Sequence, residues 1–143
     1  MTENTEKKNP IRLLIGKVGL DGHTRGVQYV AHIFRDAGYE VIYPGLRKSP
    51  KQIVKMAIEE DVKAIGLSFL SGAHIPLISE IMDLLKDKKA EDILVFCGGV
   101  IPDDDILILK KMGVREVFTP GTSDKIIIEK VTALFADSSD EEK

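Results

Sequence analysis

The chain has 143 residues, enough for one domain that buries roughly 68–70% of its unfolded surface without needing disulfide bonds. Hydrophobic residues make up 43% and charged residues 30%, as in ordinary globular proteins, and the net charge of −3 gives no electrostatic reason to expect nucleic acid or an anionic membrane as a partner. The single cysteine, Cys97, excludes an intramolecular disulfide and favours a reducing compartment.

Both ends of the chain are polar, and between them the sequence predicts one domain, residues 10–136. Residues 1–9 and 137–143 have almost nothing to bury, so we expect disordered tails there. The polar start does not resemble a signal peptide, and no run reaches the ~20 apolar residues of a membrane span. We therefore expect a cytoplasmic protein.

Five short apolar runs alternate with helical periodicities through this domain. The runs are Ile11–Ile15, Tyr39–Tyr43, Ala64–Leu67, Ile93–Cys97 and Val114–Phe118. Four of them are nearly continuous in apolar residues, which is typical of strands covered on both faces. Five consecutive βα units in so short a chain predict a three-layer, flavodoxin-like (Rossmann-like) α/β domain. Its five-stranded parallel sheet should have the order 2-1-3-4-5.

A helical pattern follows each predicted strand. Apolar residues repeat at helical spacing within Val27–Phe34 before Gly38, which favours a left-handed stop. Ser49–Gln52 forms a capping box with proline at the first helical position. Asp103–Asp105 place negative charge at the positive end of the fourth helix, and a last stripe begins at Ile127.

The loops after strands one, three, four and five carry most of the unusual glycine, hydroxyl and imidazole groups. These loops are Gly16–Gly26, Ser68–Gly72, Cys97–Pro102 and Thr119–Thr122. In a sheet of order 2-1-3-4-5, a ligand binds outside the carboxyl ends of the strands, at the switch point between strands one and three, where the strand order reverses. We therefore expect the binding site at this edge.

Asp21 and His23 lie two residues apart in the first loop, so both can face the same side. A carboxylate that accepts one imidazole N–H fixes the tautomer and leaves the other nitrogen for a metal. A lone histidine cannot hold a bare zinc ion, which takes three or four protein ligands, but it can be an axial ligand to a metal held in a macrocycle. Six glycines keep this edge open for a bulky ligand: Gly22, Gly26, Gly72, Gly98, Gly99 and Gly121.

Phosphate-binding alternatives do not match the sequence. It has neither a GxGxxG dinucleotide fingerprint nor a GxxxxGK[ST] loop. A phospho-acceptor domain of the receiver type would need an aspartate at the end of the third strand, where this chain has Ser68.

Three motifs in order, at the ends of strands one, three and four, resemble the signature of the cobalamin-binding domain family. They are Asp21-x-His23-x-x-Gly26, Ser68-x-Leu70 and Gly98-Gly99. The resemblance extends from about Ile11 to Phe135. Three longer stretches are most similar to acyl-CoA mutases of the methylmalonyl-CoA mutase type, in particular to the small subunits of two-subunit forms: Gly16–His23, Leu70–His74 and Pro120–Thr122.

The resemblance implies how the cofactor would be held. In this family cobalamin binds base-off, so His23 would replace dimethylbenzimidazole as the ligand beneath cobalt. Asp21 would hydrogen-bond His23, and Lys17 would complete the relay. Thr24 departs from the pattern, because mutase relatives often have aspartate there, which puts the substrate subfamily in doubt.

The resemblance also implies the remaining contacts. Ser68 would meet the displaced benzimidazole, and Gly98 and Gly99 would leave room for the nucleotide tail. The full predicted set of cofactor-binding residues is Asp21, Gly22, His23, Thr24, Arg25, Gly26, Ser68, Leu70, Ser71, Gly72, Gly98, Gly99, Val100, Phe118, Thr119, Pro120, Gly121 and Thr122.

The function that the resemblance implies is that of an enzyme subunit carrying adenosylcobalamin. It would be inactive alone and would dock on a separate acyl-CoA-binding barrel subunit, where a radical 1,2-rearrangement takes place. The chain itself is too short for such a barrel, which takes ~250 residues. Two alternatives remain: a corrinoid carrier for methyl transfer, which usually has a helical domain ahead of this one, and a non-catalytic cobalamin chaperone or sensor.

Three other residues receive no cofactor role. Cys97 is predicted to pack in the core as a small apolar residue. His32 lies beside a helical stripe and His74 near the rim of the crevice, and neither is predicted to be a ligand.

Overall fold

Five strands alternate with five helices in the part of the chain that the computed structural model describes, residues 10–18, 25–45, 47–69 and 73–141, with side chains up to residue 136. The strands are β1 (Arg12–Gly16), β2 (Glu40–Ile42), β3 (Ala64–Phe69), β4 (Leu94–Gly99) and β5 (Glu116–Phe118). The helices are α1 (Arg25–Asp36), α2 (Pro50–Glu59), α3 (His74–Asp87), α4 (Asp103–Lys111) and α5 (Asp124–Glu141). Each observed strand overlaps the apolar run that predicted it.

The strands form one parallel sheet in the order β2-β1-β3-β4-β5, which confirms the predicted fold. At its carboxyl edge Ser68 is in register with Gly98, and Gly98 with Phe118. The ends of β3, β4 and β5 therefore lie side by side.

Two buried clusters cover the two faces of the sheet. Successive residues of a strand point to opposite faces, so Leu13 and Ile15 of β1 pack with α1 and α5, whereas Leu14 packs with α2, α3 and α4. Phe34 of α1 and Ile78 of α3 are fully buried, one in each cluster. Helices on both faces explain why the strand sequences are almost continuously apolar.

Local capping fixes two helix starts. Ser49 Oγ accepts a hydrogen bond from Gln52 N at 3.1 Å, and Ser49 N donates to Gln52 Oε1 at 2.9 Å, so the predicted capping box before α2 is confirmed. Ser123 Oγ accepts from Ile126 N at 3.3 Å at the start of α5. That helix continues to Glu141. None of the helices in the described part of the chain combines the length and apolarity that a membrane crossing requires.

Candidate cofactor site at the carboxyl edge of the sheet

A cavity of about 260 Å³ lies between α1, α5 and the carboxyl ends of β3, β4 and β5, and we call it the slot. Ile15, Gly66 and Phe96 of the sheet line it, and Val30 and Ile127 line it from the two helices. Sites for whole drug-sized ligands occupy about 300–1,000 Å³ and are mostly apolar with a few polar groups. The slot is therefore suited to one apolar portion of a larger ligand.

Nine residues of the predicted set line the slot: Gly26, Ser68, Gly98, Gly99, Phe118, Thr119, Pro120, Gly121 and Thr122. Two others do not line it: Arg25, the first residue of α1, and Val100, whose side chain is exposed after β4. The rest of the set lies outside the described residues: Asp21, Gly22, His23, Thr24, Leu70, Ser71 and Gly72. Their roles stay predictions.

The glycines around the slot serve different purposes. A Cβ on Gly99 would lie 1.8 Å from Phe69 O, and the φ of Gly99 is +137°, so close strand packing requires this glycine. A Cβ on Gly98 would lie 3.1 Å from Phe118 O. At Gly26, by contrast, the nearest atom to such a Cβ is Ser68 Oγ at 3.9 Å, so a side chain there would occupy space in the slot. The slot is therefore open beside Gly26.

Lys17 directly follows β1, beside the end of the neighbouring strand β3. Its side chain is buried, with 3% relative exposure, and Nζ donates to Ser68 O at 3.2 Å. An ammonium group is buried only where partners replace its hydration. The predicted relay residue is therefore held against the end of β3, next to the slot.

Tyr29 and Asp124 also line the slot, and neither is among the residues predicted from the sequence. Tyr29 Oη donates to Asp124 Oδ2 at 2.5 Å, which joins α1 to the first residue of α5. This hydrogen bond raises the pKa of Tyr29, because the neutral hydroxyl is the donor and the carboxylate opposes ionisation. A signal was present in the sequence: Tyr29 follows Gly26 by three residues, so the two share a helix face.

His74 is the first residue of α3, which follows β3 at the same edge of the sheet. It is buried, with 3% relative exposure. Its Nε2 lies 2.7 Å from Asp105 Oδ2, and its ring packs edge-on against Phe69. Among the described residues, His74 Nδ1 has no hydrogen-bond partner. The structure pairs His74 with Asp105 across two helix starts, whereas the sequence predicted only that His74 is not a ligand.

Comparison with known proteins agrees with this arrangement. The B12 binding domain family matches residues 11–125. The chain is 46% identical to the 2-hydroxyisobutanoyl-CoA mutase small subunit of Aquincola tertiaricarbonis, over 90% of this chain and 95% of that protein. It is 45% identical to the ethylmalonyl-CoA mutase of Methylorubrum extorquens over 76% of this chain, but it spans only 16% of that protein.

Among solved structures, a cobalamin-binding protein from Desulfitobacterium hafniense superposes with a TM-score of 0.71 at 23% identity, covering 83% of this chain and 57% of that one. At this identity the likeness shows the fold alone. The sequence relatives confirm the predicted resemblance to the acyl-CoA mutase branch of cobalamin-binding domains. The matched residues include all five strands of the sheet. The chain therefore belongs to the B12-binding domain family.

Proposed function

We propose that this chain is the cobalamin-binding small subunit of an adenosylcobalamin-dependent acyl-CoA mutase. The observation that carries the proposal is the apolar slot, which opens at the carboxyl edge of the sheet beside Gly26 and Ser68 in a B12-binding domain. Its relative of matching length, the small subunit from Aquincola tertiaricarbonis, supports the same role.

In this proposal the chain's own residues bind and orient the cofactor. His23 would hold the cobalt of the cofactor, Asp21 would fix the tautomer of the His23 imidazole, and Lys17 would support the pair from the end of β1. The slot takes the nucleotide tail beside Ser68. When bound, adenosylcobalamin supplies a carbon radical by homolysis of its cobalt–carbon bond, while the protein supplies binding, orientation and electrostatics.

The ligand assignment is tested by adding hydroxocobalamin to the purified chain and recording its absorption spectrum. We expect a base-off, histidine-on spectrum that His23→Ala abolishes. His32→Ala is the matched control, because His32 is exposed on α1 and pairs only with the nearby Asp36 among the described residues. An unchanged spectrum in His23→Ala would refute the ligand assignment.

The subunit role requires a partner. We propose that a large acyl-CoA-binding barrel subunit docks over the cofactor, that both proteins are cytoplasmic, and that this chain alone has no mutase activity. A tagged chain should copurify with such a subunit, and mutase turnover should need both polypeptides. Turnover by the chain alone contradicts the proposal. Cobalamin binding together with methyl transfer, or with delivery of cobalamin to another protein, would favour the carrier or the chaperone instead.

A further inference from the structure

The Tyr29–Asp124 hydrogen bond spans the two helices that flank the slot. Tyr29 lies on α1 one turn after Gly26, and Asp124 begins α5 directly after the strand-five loop. Both residues line the slot, and both are exposed to solvent, Tyr29 with 51% relative exposure. The bond is therefore at the mouth of the slot.

The bond is well suited to hold the helices together at this point. A hydrogen bond from a hydroxyl to a carboxylate is about twice as strong as one between neutral groups. A second side-chain hydrogen bond to α5, between Tyr39 Oη and Thr132 Oγ1 at 2.6 Å, lies two turns further along α5, and neither residue lines the slot. Tyr29 and Asp124 thus fix the separation of α1 and α5 at the slot itself.

The bond bridges the mouth of the slot, so a ligand that enters between the two helices meets it first. At about 260 Å³ the slot accepts one apolar portion of a ligand, and a nucleotide tail brings a ribose and a phosphate to the mouth besides its base. The sheet side of the slot is closely packed, because a Cβ on Gly66 would lie 2.5 Å from the Phe96 ring. The two helices form the remaining wall, and the Tyr29–Asp124 bond connects them.

We propose that the Tyr29–Asp124 hydrogen bond is a latch that holds the slot narrow in the free protein and must open before the nucleotide tail of a corrinoid enters. The two residues thereby set the rate at which tail-bearing corrinoids bind. This inference rests on the proposed cobalamin-binding function. It assigns Tyr29 and Asp124 to the entry of the nucleotide tail into the slot and not to the binding of cobalt.

The test measures association rates by stopped-flow absorbance, with hydroxocobalamin and with cobinamide, which lacks the nucleotide tail. Removing this solvent-exposed hydrogen bond should make Tyr29→Phe bind cobalamin about twofold to fivefold faster. Asp124→Asn should change the rate in the same direction by less, since an amide oxygen still accepts. Cobinamide should bind both variants at the wild-type rate, because it has no tail to admit.

Tyr39→Phe is the matched control. It makes the same chemical change and also removes a hydrogen bond to α5, but Tyr39 does not line the slot, so its association rates should equal those of the wild type. Equal cobalamin rates in the wild type and both latch variants would overturn the inference, as would slower binding or an equal acceleration with cobinamide. Failure of the wild-type chain to bind cobalamin would instead contradict the proposed function.

Discussion

His74 Nε2 lies 2.7 Å from Asp105 Oδ2, and this contact joins the first residue of α3 to the first turn of α4. These helices follow the loops of β3 and β4, which hold seven of the eighteen predicted cofactor contacts. Neither helix has a side-chain cap, since Ala73 and Pro102 occupy the N-cap positions. The His74–Asp105 pair therefore fixes the relative positions of two helix starts that capping residues do not secure.

Asp105→Ala should lower the free energy of unfolding by about 1–3 kcal/mol, because it leaves the buried His74 Nε2 unpaired. Asp104→Ala is the control: Asp104 is exposed in the same helical turn and makes the same favourable interaction with the helix dipole. Urea unfolding of both variants gives the comparison. Equal losses would show that Asp105 acts only through the dipole.

The strand order and the place of the site could be predicted from the sequence because both depend on local patterns. Continuous apolar runs mark strands that are buried on two faces. The loop that comes after each run along the chain, such as the loop at Ser68, then lies at the carboxyl edge of the sheet. The fifth apolar run, Val114–Phe118, predicted the extent of its strand only in part. Val114 is buried and belongs to the predicted strand, yet its N–H bonds to Leu109 O and closes α4, so β5 begins only at Glu116.

The two side-chain pairs could not be predicted in this way. Tyr29 and Asp124 are separated by 95 positions, and His74 and Asp105 by 31. Whether such residues meet depends on how each helix is rotated about its axis over the sheet, which the packing of many side chains decides. Asp105 illustrates the difficulty, because its sequence context as one of three successive aspartates points only to the helix dipole.

Gly26 and Gly99 should respond differently to substitution. Gly26→Leu places a side chain in the slot, so cobalamin affinity should fall at least about tenfold, while the helix propensity of leucine preserves or raises stability. Gly99→Ala should destabilise the fold itself, because its Cβ would overlap Phe69 O. Binding titrations and thermal unfolding separate the two effects. A Gly99→Ala variant with wild-type stability would contradict the packing argument.

Lys17→Met should weaken the end of β3. Methionine retains the apolar stem of lysine but removes the donor to Ser68 O, so the free energy of unfolding should fall by about 1–3 kcal/mol. If Lys17 also supports the axial histidine, the histidine-on fraction of bound hydroxocobalamin should decrease. Lys51→Met, at an exposed position in α2, is the control and should change neither quantity. Loss of stability with a normal spectrum would limit Lys17 to a structural role.

Cys97 should behave as an inert core residue although its backbone borders the slot. Burial raises the pKa of its thiol from 9.0 to about 12. The native protein should therefore react slowly with a thiol reagent at about pH 8, whereas the urea-unfolded chain should react at once, since the thiolate is the reactive form. Rapid labelling of the native protein would show that the slot gives access to the thiol.

The same burial predicts a pH effect of definite sign. Because the thiol pKa is raised in the folded state, its contribution to stability is complete below about pH 9, where both states are protonated, and is lost progressively as the pH rises towards 12. At about pH 10 the loss should be about 1 kcal/mol relative to neutral pH. Cys97→Ala has no thiol to ionise. The difference in unfolding free energy between the wild type and Cys97→Ala should therefore change by that amount between pH 8 and pH 10. A constant difference would mean that the folded thiol ionises as readily as the unfolded one.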